Sequence, residues 1–182
     1  MLRQTHPAAT SAETTIHFLS FKNALIAATR SARHRIWVLC YVMNSNMNRA
    51  NDPITLFLDI LARHKIIGRD IRFIIDDPNI NRANYHCNKF FMRRLDEMKI
   101  PFVTPPDKIT SHAKAVLIDD RILFIGSHNL AKSSLENPLD CTVELRNKIL
   151  IDSFADAYLS LWSDQTMKSY PQGSVPKYKY YG

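Results

Sequence analysis

Apolar positions fall in short, regularly interrupted blocks along the chain, and the spacing inside each block predicts its form. Within residues 15–33, Phe18, Phe21, Leu25 and Ile26 recur near helical spacing among the helix formers Ala24, Ala27 and Ala28, which predicts a helix. Arg35 to Val42 is almost continuously apolar, β-branched or aromatic and reads as a buried strand. Residues 44–52 are polar and loop-like. Pro53 then opens a second helix through Lys65, with Leu56, Leu58, Ile60 and Leu61 apolar and Gly68 as its stop. Asp70 to Ile75 reads as a second strand, ended by Asp76-Asp77-Pro78. After a polar loop at 79–88 come a helix over 89–98 and a short strand, Pro101 to Val103. Ala113 to Ile118 and Ile122 to Gly126 form a hairpin-like pair around Asp119-Asp120-Arg121. A strand, Cys141 to Leu145, and a helix, Ile149 to Trp162, complete the pattern.

This order predicts an α/β fold in which a mixed β-sheet is sandwiched between helices, one domain per chain. The domain spans residues 15–164. A flexible arm, residues 1–14, precedes it. A loosely held tail, residues 165–182, follows, with Pro171, Gly173, Pro176 and a Lys/Tyr run. There is no internal repeat.

A length of 182 residues and 46% apolar content fit one globular domain that needs no disulfide or metal to hold it. Cys40, Cys87 and Cys141 are odd in number and irregular in spacing, so they read as reduced core thiols and not as a disulfide framework or zinc site. The longest apolar run, Ile36 to Met43, is far short of the roughly 20 residues of a membrane-spanning helix. Residues 1–15 lack the apolar stretch of a signal peptide, so a cytoplasmic location is expected. A net charge of +7 and a pI near 9.4 favour polyanions, either nucleic acid or anionic headgroups.

The chemistry is concentrated between Ser111 and Asn129. His112-x-Lys114 is followed after four residues by Asp119, and after six more by Gly126-Ser127-x-Asn129. Side chains two apart on a strand share a face, so His112 and Lys114 project together. The turn at Asp120 returns Ser127 and Asn129 to their neighbourhood, and Gly126 permits a close approach of backbone or ligand. An imidazole, an ammonium, a hydroxyl and an amide together suit a phosphodiester. Lys114 and Asn129 can donate to its nonbridging oxygens, and His112 can attack phosphorus. The second ring nitrogen of His112 calls for a carboxylate, and Asp140, eleven residues past Asn129, is a candidate.

The spacing resembles the signature of the phospholipase D superfamily. Six fixed residue types at fixed spacing match by chance on the order of once in 10⁸ starts. The resemblance extends from about Thr15 to Asp164. It implies a phosphohistidine intermediate on His112, no metal and no cofactor, phosphate binding by Lys114 and Asn129, support from Ser127, and a structural Asp119. The family usually carries glutamate where Asp140 stands. Aspartate is one methylene shorter, and Glu144 is the fallback. The reaction needs a second histidine to protonate the leaving oxygen. His6, His17, His34, His64, His86 and His128 all lack the His-x-Lys pattern. Short single-motif members of the family form homodimers, so a two-fold dimer with facing copies of His112 is expected. Trp37, Tyr41, Phe124 and the 129–137 loop are candidates for its interface or the cleft wall, although core packing explains the first three at least as well.

Short single-motif members are often nucleases, which makes DNA or RNA the first substrate expectation, with Lys89, Arg93, Arg94, Lys108 and Lys132 along the approach. A lipid phosphodiesterase or phosphatidyl transferase is the alternative, although no basic amphipathic helix points to a membrane. A nucleic-acid-binding module without turnover is the third reading.

Overall fold

The computed structural model describes residues 14–44, 52–79 and 84–175. Most of the expected N-terminal arm, parts of the two polar loops and the terminal Lys/Tyr run lie outside them.

Thr14–His17 forms strand β1, which pairs antiparallel with β9, Thr142–Leu145. The sequence reading began a helix here. Thr14, Thr15 and Ile16 are β-branched and favour the pleated form, and helix α1 starts only at Phe21–Ser31. Strand β2, Arg35–Cys40, follows, then a two-residue β3, Met43–Asn44. Helix α2 is Pro53–Ile66. Asp52 caps it, accepting from the amides of Ile54 and Thr55 at 2.8 and 3.0 Å, and Pro53 occupies the first turn where no amide partner is needed. Strand β4, Asp70–Ile75, helix α3, Tyr85–Glu97, and strand β5, Phe102–Thr104, come next.

The hairpin is β6, Ala115–Ile118, and β7, Ile122–Gly126. Beyond it lie β8, Leu130–Ala131, a single helical turn α4, Lys132–Leu135, and helix α5, Lys148–Ser163. The last strand is β10, Lys168–Ser169. The main sheet runs β1-β9-β7-β6-β2-β4-β5-β10, with β2, β4 and β5 parallel and the remaining pairs antiparallel. One face carries Ile36, Val38, Phe73, Val116 and Phe124 and is covered by Leu25 of α1, Phe57 and Leu61 of α2, and Phe91 of α3. The other carries Trp37, Leu117 and Leu123 under Ile151, Ala155 and Tyr158 of α5. The mixed sheet between helices is therefore as the sequence predicts.

The C-terminal segment is held more firmly than its composition suggests. β10 pairs with β5, Tyr170 stacks on Phe102 at 5.2 Å, and Val175 is buried. Lys168 reaches the fully buried Asp77 at 2.8 Å and also pairs with Asp107. One ammonium thus clips the end of β4 to the loop that leads into His112.

The β6–β7 turn explains Asp119. Asp119 and Asp120 both have positive φ, 52° and 54°, with the Arg121 amide donating to Ile118 at 3.0 Å. That is the sign pattern of a tight hairpin turn whose twist matches its strands. The Asp119 carboxylate accepts the amides of Arg33, His34 and Arg35 at 2.6, 2.7 and 2.9 Å, fixing the entry to β2. Burial pushes this carboxyl up, but the three amide donors outweigh it and hold it below its ordinary 3.8. Asp119→Ala strands those amides and is expected to cost about 3 kcal/mol in urea unfolding. The folded value lies below the unfolded one. The stabilisation is therefore fully present above pH 3.8 and is lost as pH falls through the folded value, a dependence that the alanine variant lacks.

Candidate active site

His112 and Lys114 sit just before β6 and not within it, since the strand begins at Ala115. Pairing nevertheless extends one step further, because the Gly126 amide donates to the Lys114 carbonyl at 3.2 Å. The two side chains meet. Lys114 Nζ lies 3.2 Å from His112 Nε2 and donates to the His112 carbonyl at 2.7 Å. An ammonium can only donate, so Nε2 is the acceptor in this contact and its lone pair is turned toward Lys114. The ring of Tyr41, at the end of β2, packs 4.5 Å from that of His112, and Lys114 Nζ stands 4.9 Å from its centroid.

Gly126 allows the opposite wall to close in. A Cβ there would lie 2.3 Å from the Cys141 carbonyl oxygen and 2.5 Å from Thr142 Cα. Gly126→Ala is expected to lose about 3 kcal/mol of stability, read from a thermal melt, because both obstacles are backbone. The close approach lets the Ser127 amide donate to the Cys141 carbonyl at 2.8 Å, while Ser127 Oγ accepts the Cys141 amide at 2.9 Å.

Asp140 organises this wall. Its two oxygens take Ser127 Oγ at 3.0 Å and Ser134 Oγ at 2.6 Å, and Ser134 Oγ in turn accepts the Asn129 amide at 2.9 Å. The Ser134 hydrogen bond, above all, keeps the Asp140 carboxyl below its ordinary range. Asn129 Oδ1 is buried without a partner among the described residues. Lys114 feels burial first, which lowers its pKa from 10.5, against which the charges of Asp140 and Asp76 act. The cluster is a lone-pair nitrogen beside an ammonium, faced by a serine–carboxylate lattice. Such a site can hold a phosphoryl group and attack it. Among the described residues, no group of three or more His, Cys, Asp and Glu side chains is arranged to hold a metal ion.

The family model described as cardiolipin synthase, PLD-like domain, matches residues 25–162. The chain belongs to this phospholipase D-like family. No curated protein matches it by sequence. Among solved structures, the phospholipase D family member Nuc from Salmonella typhimurium superposes with a TM-score of 0.67 at 20% identity, over 86% of this chain and 97% of that one. NucT from Helicobacter pylori gives 0.66 at 17% identity, over 86% and 98%. The phosphatidylserine synthase of Haemophilus influenzae Rd KW20 gives 0.66 at 11% identity, over 90% of this chain but 41% of that one.

In this phospholipase D-like chain several sequence expectations need correcting. Among the described residues, Asp140 is hydrogen-bonded to Ser127 and Ser134, and no hydrogen bond joins it to His112. Glu144 is no substitute. It alternates with Val143 onto the buried side of β9, where it pairs with His17 at 3.0 Å and with Arg146. Trp37 and Phe124 are core residues, each 1% exposed, and cannot form an interface. Of the basic candidates, Arg93 and Arg94 share Glu97 at 3.0 and 2.6 Å. Lys132 lies 3.8 Å from Glu136, and Lys89 bonds Tyr85 Oη at 2.6 Å. Lys108 is exposed on the loop four residues before His112. Sequence reasoning missed Ser134, and it read Asp76 only as the end of a strand. The signal for Asp76 was its place at the carboxyl end of a central parallel strand, where open α/β sheets put their ligands.

Proposed function

We propose that this chain is a metal-independent phosphodiesterase that hydrolyses DNA or RNA through a covalent phosphohistidine on His112, at a site shared by two copies of the chain. The observation that carries the reading is the contact of Lys114 Nζ with His112 Nε2 at 3.2 Å, with Asp140, bonded to Ser127, close enough to act on the Lys114 charge. Lys114 and Asn129 bind the phosphoryl oxygens, and Ser127 supports the wall they face. Nuc and NucT are matched over nearly their whole length, which aligns this chain with the short members of the family. The charge of +7 suits a polyanionic substrate.

The second copy answers the need for a leaving-group acid, since His112 is the only one of seven histidines in a His-x-Lys pattern. Beside the site, Ile16 and Ile125 flank Val143 in one cross-strand row and are 63% and 42% exposed. An uncovered apolar row of this kind suits a partner chain.

Incubation with single- and double-stranded DNA, RNA and phosphatidylcholine in excess EDTA, beside His112→Ala, tests the reading. Nucleic-acid cleavage that survives EDTA and is absent from the variant supports it. Loss of cleavage in EDTA sinks the histidine chemistry. A lipid reaction is the second reading, favoured by the family description and by the synthase likeness. Turnover of phosphatidylcholine alone would establish it. No helix among the described residues is long and apolar enough to cross a membrane. Binding of DNA with no turnover of any substrate leaves the non-catalytic module.

A further inference from the structure

Asp76 lies at the carboxyl end of β4, fully buried, with no part in the wall formed by Ser127, Ser134 and Asp140. Its backbone is tied on both sides. Its amide donates to the Cys40 carbonyl at 3.1 Å, and its carbonyl accepts Asn88 Nδ2 at 3.1 Å. Asn88 Nδ2 also reaches the Tyr41 carbonyl at 2.8 Å, so the strand ends that flank the site are locked together beneath it. From this fixed base, Asp76 Oδ1 accepts the amide of Ser111 at 2.8 Å. Ser111 is the residue immediately before His112. The other oxygen, Oδ2, is buried and has no hydrogen-bond partner among the described residues. A buried carboxylate oxygen without a donor is costly, and such groups persist where they serve a site.

We propose that Asp76 is a positioning residue for the His112–Lys114 pair, clamping the Ser111 amide so that His112 is held at the cleft and presenting a fixed negative charge to both side chains. The proposal rests on the reading of that pair as the phosphodiester-cleaving group. It assigns to β4 a role separate from that of the lattice around Asp140. Asp140 holds the opposite wall, whereas Asp76 holds the segment that carries the nucleophile. The charge serves a second purpose. Bringing an ammonium and an imidazole together is unfavourable when both are protonated, and a carboxylate behind them offsets that repulsion.

The electrostatics agree with the geometry. Burial raises the Asp76 carboxyl above its ordinary value, the Ser111 amide opposes this, Asp77 adds to it, and His112 and Lys114 oppose it. The charged and titratable groups that face Asp76 are therefore Asp77, His112 and Lys114, together with Cys40, whose thiol Asp76 helps to push up. Those that act on Lys114 are Asp140 and Asp76. Lys168 neutralises Asp77 from the far side.

The test is Asp76→Asn. Asparagine keeps an oxygen for the Ser111 amide and removes the charge. The Lys114 ammonium, followed through its ¹³Cε resonance, is expected to titrate at lower pH than in the wild type. Turnover of a nucleic-acid substrate is expected to fall on the order of 10²-fold in kcat with KM little changed, because Asp76 touches no substrate. A Lys114 titration and a kcat equal to those of the wild type would overturn the proposal and leave Asp76 a structural clamp only. If Asp76→Asn does not fold, the wild-type protein decides. The Ser111 amide proton and the Lys114 ¹³Cε resonance must then share one acidic inflection, that of Asp76, and separate inflections overturn the proposal. A wild type silent on every phosphodiester sinks the reading of the site, while the Lys114 titration still tests the clamp.

Discussion

His112→Ala is expected to abolish the proposed phosphodiester cleavage, with a loss on the order of 10⁴-fold or more in kcat, and to leave the fold intact. The size follows from the role: a nucleophile has no substitute, and removing one member of a unit costs nearly what removing all of it costs. The intact fold follows from position. His112 is exposed, precedes β6 and, among the described residues, makes no hydrogen bond from its ring beyond Lys114. Its stability in urea should stay within about 0.5 kcal/mol of the wild type. Loss of turnover with stability unchanged separates a chemical role from a structural one. His128, next to Ser127 in sequence, gives the contrast. It is 2% exposed, bonds Thr142 Oγ1 at 2.8 Å and packs 4.9 Å from the ring of Phe21. Its alanine variant should lose stability first and activity only as a consequence. Cleavage that persists in His112→Ala would remove the phosphohistidine from the mechanism.

The second large effect is at Lys114. Its alanine variant removes the cation proposed to bind the phosphoryl oxygens and is expected to lose 10²- to 10³-fold in kcat, on the scale of a single oxyanion donor. The pH dependence is more diagnostic. Burial lowers the Lys114 pKa below 10.5, and the carboxylates of Asp140 and Asp76 only partly oppose this. The protonated form is the one that binds phosphate. Activity is therefore present below the folded value and falls as pH rises through it, earlier than an exposed lysine would allow. Lys114→Arg keeps a charge that does not titrate in this range, so its remaining activity should lose that alkaline limb. A limb that survives the arginine substitution belongs to another group.

The motif was legible because phosphodiester chemistry demands particular side chains at spacings a hairpin can bring together. His112, Lys114, Ser127 and Asn129 could be named from residue types alone. The partners of Asp140 could not. They depend on how the segment between Asn129 and Cys141 coils back, and the single turn α4 that sets Ser134 beneath Asp140 is four residues long, too short for any periodic signal. Much of the sheet was legible because β2 is an almost continuous apolar run and β4 carries Ile71, Phe73, Ile74 and Ile75 before the Asp-Asp-Pro stop. β1 was missed because the near-helical spacing of Phe18, Phe21, Leu25 and Ile26 carried the expected helix back over residues 15–17, and the strand character there comes from pairing with β9, which lies far along the chain. The hold on residues 168–175 was hidden because it comes from an ammonium, a stacked ring and a two-residue strand, set in a segment whose prolines and glycine read as loose. Asp76 was hidden in plain view. Asp-Asp-Pro is ordinary turn chemistry, and only the three-dimensional end of β4 reveals that its first carboxylate faces inward.

The clip at Lys168 also has a temporal meaning. A polypeptide is made from its amino end, and early segments can fold before later ones exist. Every residue of the cluster, from Tyr41 to Asp140, leaves the ribosome before Lys168 does. Until then, Asp77 is without its ammonium, and the loop through Asp107 is not tied to β4. A growing chain therefore carries the histidine and lysine of its site before it carries Lys168, and the loop before His112 is tied to β4 only after the whole cluster has been made.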